Sequence, residues 1–486
     1  MEGPFFQLPE EEMRRVGYQV IDTLIHHYRT LSEKPAGGHK TVDEIAPMIG
    51  EPVPEEGSPF DEVMKKALEE IFPNNMYLNH PRFFAWVPGP SNYISVMADT
   101  LASGFNVFAG IERAGAAANQ IELLVIRWLT RSLGLGEQAG GILTSGGSVA
   151  NLIGLGTARE VMLQGVKSEA VIYCSDQTHK SNFKALKILG FTPEQFCVLP
   201  TDGSYQLCIT SLQAQIQQDR KAGKHPFCVI ANAGTTNTGA IDPLTEIRNV
   251  CDQETCWMHV DAAYGGAAWL TSNGRTLLKG MNMADSLTVD PHKWLYQPYD
   301  VGGVLLKDAS HLLLTFQTSA SYLKESEGYS NFADKGVQLS RRFRAFPLWM
   351  SLKYYGISTF RKAINYSMEL AEFVEKIVKE LPHWKVMTSA QLSIITFRFA
   401  HEHLTPKQQD MVNSRLASHI MDEQGIVLSS TTIRDRVVLR MCTINPNTSL
   451  EDIEMTFAYL DFVAHKFYTE IIADKNTSKQ SKSISL

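Results

Sequence analysis

The sequence of 486 residues lacks several features that mark particular classes of protein. No apolar run reaches the roughly 18 to 20 residues that span a bilayer, and the N-terminus MEGPFFQLPEEEMRR lacks the charge order of a signal peptide. Basic residues form no cluster with interleaved aromatic residues, and the net charge of -7 argues against a nucleic-acid partner. We therefore expect a cytoplasmic protein that binds a small molecule and neither nucleic acid nor a membrane.

The number and spacing of the cysteines do not suggest a disulfide framework or a metal site. The seven cysteines are odd in number and form no C-x-x-C pair with histidine partners. We expect all seven to be buried free thiols, and we expect no metal ion.

Three regions and a tail follow one another along the chain. Residues 1–80 contain an amphipathic helical pattern and the loop PVPEEGSPF, which predicts a helical arm that packs on another surface. In residues 81–356 short apolar runs alternate with helical patterns, which predicts an α/β domain with a mainly parallel sheet. Residues 357–474 combine a long helix with strand pairs, which predicts a small α+β domain, and the polar residues 475–486 are predicted to be disordered.

Residues that could bind a ligand or take part in catalysis lie at the ends of predicted strands. The loop TSGGS at residues 144–148 leads from an apolar run into a helix, so that backbone amides, a hydroxyl and a helix N-terminus converge as in a phosphate site. No lysine follows at the spacing of a Walker loop, and the GxGxxG dinucleotide pattern is absent. Such turns are more often structural, so the loop alone does not decide the function.

Two ionisable residues lie within or directly after later predicted strands. Asp261 in CWMHVDAAYGG needs a partner to offset burial, either a protonated ring nitrogen of a cofactor or an internal cation. Lys293 in SLTVDPHKWLYQP follows another strand, where burial is expected to depress the pKa of the lysine and favour a Schiff base, unless the side chain extends to the surface. A phosphate loop, a carboxylate and a lysine are together the contacts that pyridoxal phosphate requires.

The strings SDQTHKS, AGTTNTGAIDPL, HVDAAYGG and DPHKWL occur in this order and resemble the group II pyridoxal-phosphate decarboxylases. The resemblance is closest to aromatic L-amino-acid decarboxylases, including bacterial tryptophan decarboxylases, and extends to about residue 465. It implies the PLP-dependent transferase fold of type I, with a mainly parallel seven-stranded sheet, and the cofactor pyridoxal 5'-phosphate. It also implies a homodimer in which the N-terminal arm wraps the partner and the active sites lie at the subunit interface.

The resemblance implies roles for individual residues. Lys293 would hold the cofactor, Asp261 would keep its pyridine nitrogen protonated, and His179 would stack on its ring. Tyr322, in the polar segment TSASYLKESEGYSNFADKG, would be the acid on a mobile lid. Asp290 stands where the animal enzymes have asparagine, so an anion would face the phosphate. The other implied cofactor contacts are Gly147, Ser148, Thr235, Ala263 and His292.

An aromatic substrate is implied by the residues that match the substrate pocket of the family. These residues are Trp86 and Pro88 in FFAWVPGP, Phe108 from the neighbouring subunit, and Trp349. Gly110, where the animal enzymes carry phenylalanine, would enlarge the pocket toward an indole, whereas Ser340 resembles the tyrosine-type plant members. The likeness to bacterial enzymes favours tryptophan, and tyrosine, phenylalanine and dopa stay open.

Two alternatives follow from the same scaffold. An aromatic aldehyde synthase would release hydrogen peroxide, and by the resemblance such relatives carry phenylalanine in place of Tyr322 or asparagine in place of His179. A catalytically inactive binding subunit is the other alternative, against which the presence of Lys293 and Asp261 argues.

Overall fold

The structure is a computed structural model that describes residues 6–37, 40–318, 331–423 and 425–483. The chain divides into two compact units, one of Met1–Phe84, His403–Ser430 and Asn447–Leu486, the other of Ala85–Glu402 and Thr431–Pro446. The predicted arm ends near the boundary at Phe84, whereas the division predicted at residue 356 falls inside the second unit. The three-part organisation therefore stays a prediction.

Helices account for much of both units. In chain order they are α1 (Glu10–Thr30), α2 (Val42–Ile49), α3 (Phe60–Lys66), α4 (Tyr93–Gly104), α5 (Ala116–Ser132), α6 (Gly147–Leu163), α7 (Lys180–Ile188), α8 (Ile209–Lys221), α9 (Leu244–Glu254), α10 (Ser272–Leu277), α11 (Pro291–Trp294), α12 (Ser310–Phe316), α13 (Ala345–Glu380), α14 (Pro406–Glu423) and α15 (Leu450–Ser483). None of the helices formed by the described residues combines the length and hydropathy needed to cross a bilayer.

The larger sheet lies in the second unit. Its strands are β1 (Gly140–Thr144), β2 (Ala170–Ser175), β3 (Phe196–Leu199), β4 (His225–Asn232), β5 (Trp257–Asp261), β6 (Ser286–Val289) and β7 (Gly302–Leu306). Their order across the sheet is β1-β7-β6-β5-β4-β2-β3. Strand β7 runs antiparallel to both of its neighbours, and the remaining pairs are parallel. The predicted α/β fold with a mainly parallel seven-stranded sheet is therefore confirmed.

Helices cover this sheet on both faces. Every residue of β2 is buried, and its side chains divide alternately between two apolar clusters. Val171 and Tyr173 belong to one cluster, whereas Ile172 and Cys174 belong to the other. Because successive side chains of a strand point to opposite faces, continuous burial of this kind is typical of a parallel strand with helices on both sides.

A second, four-stranded sheet has the order β10-β11-β9-β8. Its strands are β8 (Trp384–Gln391), β9 (Ile394–Phe399), β10 (Ser429–Ile433) and β11 (Arg436–Cys442), and β9 is antiparallel to both β8 and β11. The strand pairs predicted for this part of the chain are present. The long helix that precedes them, α13, starts earlier than predicted and is interrupted at Gly356, which has a φ of 72°.

Two predictions on the chain need correction. Disorder was predicted from residue 475, but the backbone of α15 is helical to Ser483, and no proline or glycine interrupts the segment. All seven cysteines are free thiols, but Cys197 and Cys208 are partly exposed rather than buried. Cys197 lies on the edge strand β3, and Cys208 directly precedes α8.

A buried ion pair holds the start of the large sheet to its surroundings. Both side chains are almost fully buried, and Arg341 Nη2 lies 2.6 Å from Glu122 Oε1. The same carboxylate oxygen accepts the backbone N–H of Leu143, and the carbonyl of Leu143 accepts from Arg341. This ion pair, which is shielded from solvent, thereby joins helix α5, strand β1 and the segment before α13.

Replacing Glu122 with glutamine should lower the free energy of unfolding by about 3–5 kcal/mol, because it leaves the buried Arg341 with an uncompensated charge. Chemical denaturation followed by circular dichroism measures this loss. The control is Asp99→Asn, which removes the exposed partner of the neighbouring Arg342 and should cost less than about 1 kcal/mol. Equal losses in the two variants would contradict the importance of the buried pair.

Candidate active site

A cavity of about 490 Å³ opens where the parallel strands of the large sheet end. Ligands of open α/β sheets bind at this carboxyl edge. The cavity is lined by residues that follow β1, β2, β4, β5 and β6, together with a short stretch before α4. Those on which the site depends are Trp86, Pro88, Gly146, Gly147, Ser148, Asn151, His179, Ser181, Thr235, Asp261, Ala263, Asp290, His292, Lys293 and Tyr299.

Asp261 is the last residue of β5 and is 7% exposed. Its Oδ2 accepts hydrogen bonds from the side-chain amides of Asn151 at 2.9 Å and Asn182 at 2.8 Å, and its Oδ1 accepts the backbone N–H of Ala263 at 3.2 Å. Burial raises the pKa of this carboxyl, but the nearby Lys293 and the two amides lower the pKa more strongly. The result is a buried carboxylate that stays ionised.

A stripe of polar side chains lies on the same face of the sheet as Asp261. His259 precedes Asp261 by two residues on β5, and the register of β6 places Ser286 beside His259 and Thr288 beside Asp261. Because side chains alternate along a strand, all four face the same helix, α6, from which Asn151 reaches the stripe. Of these residues only Asp261 was predicted from the sequence, although the alternation of polar and apolar residues in WMHVD and SLT indicates the stripe.

Lys293 lies in the short helix α11 that follows β6, and its Nζ is 3.1 Å from Asp290 Oδ2. Burial lowers the pKa of Lys293, but the carboxylates of Asp290 and Asp261 and the hydrogen bond to Asp290 raise it, so that the pKa lies above its ordinary value. The prediction of a depressed pKa was therefore wrong. Burial alone favours the neutral amine, but two nearby carboxylates favour the ammonium form.

The glycine-rich loop delivers the first residues of α6 to the cavity. Gly146 has a φ of 151°, a conformation open to glycine but rarely adopted by other residues. A Cβ on Gly147 would lie 2.8 Å from Asp290 Oδ2, so the loop and Asp290 are in close contact. Asp290 Oδ1 is buried and has no hydrogen-bond partner among the described residues. The start of α6 therefore combines free backbone amides with a nearby anion.

The remaining predicted cofactor contacts also line this cavity. His179 caps α7, and its Nδ1 lies 2.8 Å from Ser181 Oγ; burial lowers the pKa of His179. Nδ1 of His292 donates to the carbonyl of Val301 at 2.6 Å, and burial lowers the pKa of His292 as well. Thr235 is buried in the turn after β4. Gly147, Ser148 and Ala263 line the cavity beside them.

Only part of the predicted substrate pocket lines the cavity. Trp86 and Pro88 line it, whereas four predicted residues do not: Phe108, Gly110, Ser340 and Trp349. A Cβ on Gly110 would lie 2.3 Å from the carbonyl oxygen of Leu339, so a larger residue there would require the backbone to move. The pocket roles of these four residues stay predictions. Tyr322 lies outside the described residues.

The residues of the cavity fit pyridoxal 5'-phosphate. This cofactor has an aldehyde, a ring nitrogen that can bind a proton and a phosphate, and the cavity offers a lysine, a carboxylate and the amides of a helix start. The ionised Asp261 suits the protonated ring nitrogen, and Lys293 suits the aldehyde. Asp290 opposes an anion near Gly147, and the charge of Lys293 offsets it.

Comparisons with known proteins agree with this fit. A family model described as the pyridoxal-dependent decarboxylase conserved domain matches residues 43–400. The aromatic-L-amino-acid decarboxylase of Bacillus atrophaeus is 44% identical over 452 residues, covering 92% of this chain and 94% of the relative. A phenylacetaldehyde synthase of Arabidopsis thaliana is 29% identical, covering 92% of this chain and 94% of the relative. The crystal structure of Oryza sativa TDC with PLP and tryptamine matches with a TM-score of 0.90 at 26% identity, covering 95% of this chain and 99% of that chain.

The family match spans well over half of the chain and includes Lys293 and Asp261, which both line the cavity. The cavity can hold the cofactor by its aldehyde, its ring nitrogen and its phosphate, which is what such an enzyme requires. On these grounds the chain belongs to the pyridoxal-dependent decarboxylases, carbon–carbon lyases whose cofactor is pyridoxal 5'-phosphate.

Proposed function

We propose that this protein removes the carboxyl group of an aromatic L-amino acid and releases the arylalkylamine and carbon dioxide. The observation that carries the proposal is a single cavity that combines Lys293, the ionised Asp261 and the apolar surface of Trp86. Further support comes from the 44% identical relative, which is named an aromatic-L-amino-acid decarboxylase.

Pyridoxal 5'-phosphate, when bound, supplies an aldehyde that condenses with amino groups and a ring that accepts the electrons left by departing carbon dioxide. Asp261 holds a negative charge deep in the cavity, kept ionised by Asn151 and Asn182, and this charge favours a proton on the ring nitrogen. Lys293 would hold the cofactor through its amine, the group that condenses with an aldehyde. Asp290 would stabilise the ammonium form of Lys293 whenever this amine is free, since the two groups are 3.1 Å apart.

Proton transfer to the product carbon is assigned to Tyr322, with His179 orienting the substrate. Burial lowers the pKa of His179 and so favours a neutral ring, which can stack on another flat ring. The role of Tyr322 rests on the sequence resemblance alone. In the proposed scheme its hydroxyl donates the proton that replaces the carboxyl group.

The side-chain pocket favours an aryl group over an acidic group. Among the described residues that line the cavity, Lys293 is the one lysine or arginine, and Asp290 already neutralises it. A glutamate side chain would therefore bury its charge without a dedicated cation. We favour tryptophan, because the matching Oryza sativa TDC structure contains tryptamine. Tyrosine, phenylalanine and dopa stay possible substrates.

We also infer a cytoplasmic homodimer. No residue of α1 is buried, and its apolar residues Met13 and Tyr18 are exposed, as expected for an arm whose apolar stripe covers another surface. In such a dimer Phe108 of the partner subunit would complete the substrate pocket. The dimer is tested by the molar mass of the holoenzyme in solution.

The substrate class is tested by incubating the holoenzyme with an equimolar mixture of tryptophan, tyrosine, phenylalanine, dopa, histidine and glutamate. We expect aromatic amines, led by tryptamine, to exceed histamine and 4-aminobutyrate by at least about tenfold, since a polar or charged side chain without its partner is strongly rejected. Mass spectrometry of all the amines measures the ratio. Predominant histamine or 4-aminobutyrate would refute the aromatic assignment.

An aromatic aldehyde synthase is the second candidate, favoured by the 29% identical phenylacetaldehyde synthase. The identities of Tyr322 and His179 argue against it, because by the resemblance such enzymes carry phenylalanine or asparagine at one of these positions. Hydrogen peroxide in amounts equal to carbon dioxide would establish this candidate. A purified protein that gains no cofactor absorbance with added pyridoxal 5'-phosphate would instead indicate an inactive binding subunit.

Tyr322→Phe should divert the product from amine toward aldehyde, ammonia and hydrogen peroxide, with dioxygen as the oxidant and water as the second reactant, because the hydroxyl that protonates the product carbon is removed. Chromatography of both products, with a peroxide assay, measures the change. Tyr354→Phe is the matched control, since Tyr354 is 69% exposed on α13 and outside the cavity. Unchanged amine output from Tyr322→Phe would disprove the assigned role.

Asp290→Asn should lower the pKa of Lys293, because Asp290 raises it more than Asp261 does and lies 3.1 Å from its Nζ. Only the neutral amine attacks an aldehyde, so the pH at which adduct formation with pyridoxal becomes half-maximal should fall in this variant. Stopped-flow absorbance of the cofactor-free protein measures this midpoint. Pyridoxal has no phosphate, so the altered charge beside Gly147 does not interfere.

The control for this experiment is Asp308→Asn, which removes one negative charge at a partly exposed position near the start of α12 and outside the cavity. Its midpoint should match that of the unmodified protein. Lys293→Ala corrects for adducts on other lysines. A midpoint that stays unchanged or rises in Asp290→Asn would show that Asp290 does not hold Lys293 in its charged form.

A further inference from the structure

Asn151 lies in the second turn of α6 and is 1% exposed. Its side-chain nitrogen is 2.9 Å from Asp261 Oδ2 and 3.0 Å from Ser181 Oγ. Its side-chain oxygen is 2.6 Å from Thr288 Oγ1 and 3.1 Å from His259 Nε2. An asparagine amide has two hydrogens and two lone pairs, so these four contacts use its whole hydrogen-bonding capacity.

The orientation of this amide is determined by the carboxylate of Asp261, which can only accept, so the nitrogen of Asn151 faces Asp261 and its oxygen faces His259 Nε2. In a neutral ring that donates from Nε2, Nδ1 accepts, so Ser286 donates its proton to His259 Nδ1 at 2.7 Å. The indole nitrogen of Trp257 can only donate, and it donates to Ser286 Oγ at 2.8 Å. His259 then carries its ring proton on Nε2 and donates it to Asn151 Oδ1. Burial lowers the pKa of His259 to about 4, so the ring stays neutral near pH 7.

The nitrogen of Asn151 is consequently directed at the active site. One of its hydrogens is donated to Asp261 and the other to Ser181 Oγ. Ser181 accepts from Asn151, so its hydroxyl proton is directed to His179 Nδ1 at 2.8 Å, and the backbone N–H of Ser181 points to the same nitrogen at 3.3 Å. Because Nδ1 accepts, a neutral His179 carries its proton on Nε2.

We propose that Asn151 is a positioning residue that sets two groups of the active site at once, the carboxylate of Asp261 and the ring tautomer of His179. The inference rests on the cofactor roles proposed for these two residues and adds the group that links them. A single amide supplies a hydrogen to the carboxylate and, through Ser181, a proton donor to the histidine. The protonation states of the two groups are thereby joined in one hydrogen-bond pattern.

The packing of α6 on the sheet supports this arrangement. Gly154 lies one turn after Asn151, and a Cβ there would be 2.8 Å from His259 Cε1. Glycine therefore lets the helix approach β5 closely enough for Asn151 to reach both His259 and Asp261. The contact distances of the network depend on this close approach.

Three variants separate the two effects. Asn151→Asp keeps an oxygen for His259 and loses the donor to Ser181 and Asp261. Ser181→Ala removes a donor to His179 and leaves the contacts of Asp261 in place. Asn182→Ala is the matched control, because it removes a donor to Asp261, and the other hydrogen bond of its side-chain nitrogen goes to the backbone carbonyl of His179 rather than to the ring.

The tautomer of His179 is measured on the protein without cofactor, by ¹⁵N NMR of labelled histidine, with His179→Gln for assignment. The Nε2–H tautomer should dominate in the unmodified protein and in Asn182→Ala. Its population should fall in Asn151→Asp and in Ser181→Ala, because the hydroxyl proton no longer reaches Nδ1. A merely structural role of Asn151 would not produce this pattern across the variants.

Cofactor affinity is the second readout, measured as the Kd of pyridoxal 5'-phosphate by quenching of tryptophan fluorescence. Asn151→Asp and Asn182→Ala should each raise the Kd about tenfold or more, because each removes a hydrogen bond to a charged group. Ser181→Ala should change the Kd less than about threefold, because the donors to Asp261 remain.

An unchanged tautomer of His179 in Asn151→Asp would overturn the inference, as would a Kd in that variant equal to that of the unmodified protein. If Asn151→Asp does not fold, Asn151→Ala removes the donor to Asp261 and should raise the Kd in the same way, while Ser181→Ala tests the tautomer. The tautomer is measured without cofactor or substrate, so a failure of the aromatic assignment would not alter that result.

Discussion

The active site depends on one buried charge, the carboxylate of Asp261. A carboxylate that loses its hydration must receive hydrogen bonds or face a cation, or it takes up a proton instead. Asn151 and Asn182 supply the hydrogen bonds, and Lys293 supplies the positive charge. The chemistry proposed for the enzyme requires this charge, because only an ionised Asp261 can stabilise a proton on the cofactor ring.

The hydrogen bonds around Asp261 also depend on the strand register of the large sheet. His259 and Asp261 alternate with apolar residues on β5, and β6 places Ser286 and Thr288 directly beside them. A shift of β6 by one residue would turn both hydroxyls to the opposite face of the sheet and leave Asn151 without one of its donors. The strand pairing that builds the fold therefore also sets the direction in which the hydrogen bonds run toward the cavity.

Residues at strand ends could be predicted from the sequence, because a lysine or an aspartate in an apolar run is conspicuous and parallel strands end at one edge. The network behind them was missed, since an asparagine inside a helix such as Asn151 gives no periodic signal. The shift in the pKa of Lys293 was predicted in the wrong direction. The sequence indicates that Lys293 is buried, but it does not reveal that Asp290 Oδ2 lies 3.1 Å from the Nζ of Lys293. The pocket roles of Phe108, Gly110, Ser340 and Trp349 stay predictions, because none of these residues lines the cavity described here.

The central claim is that Asp261 is ionised in the folded enzyme and keeps the ring nitrogen of the cofactor protonated. The most direct measurement is the ¹⁵N chemical shift of ring-labelled pyridoxal 5'-phosphate bound to the protein at neutral pH. We predict the shift of a protonated ring nitrogen in the unmodified enzyme and of an unprotonated one in Asp261→Ala, because the stabilising charge is lost. An unprotonated ring nitrogen in the unmodified enzyme would contradict the account.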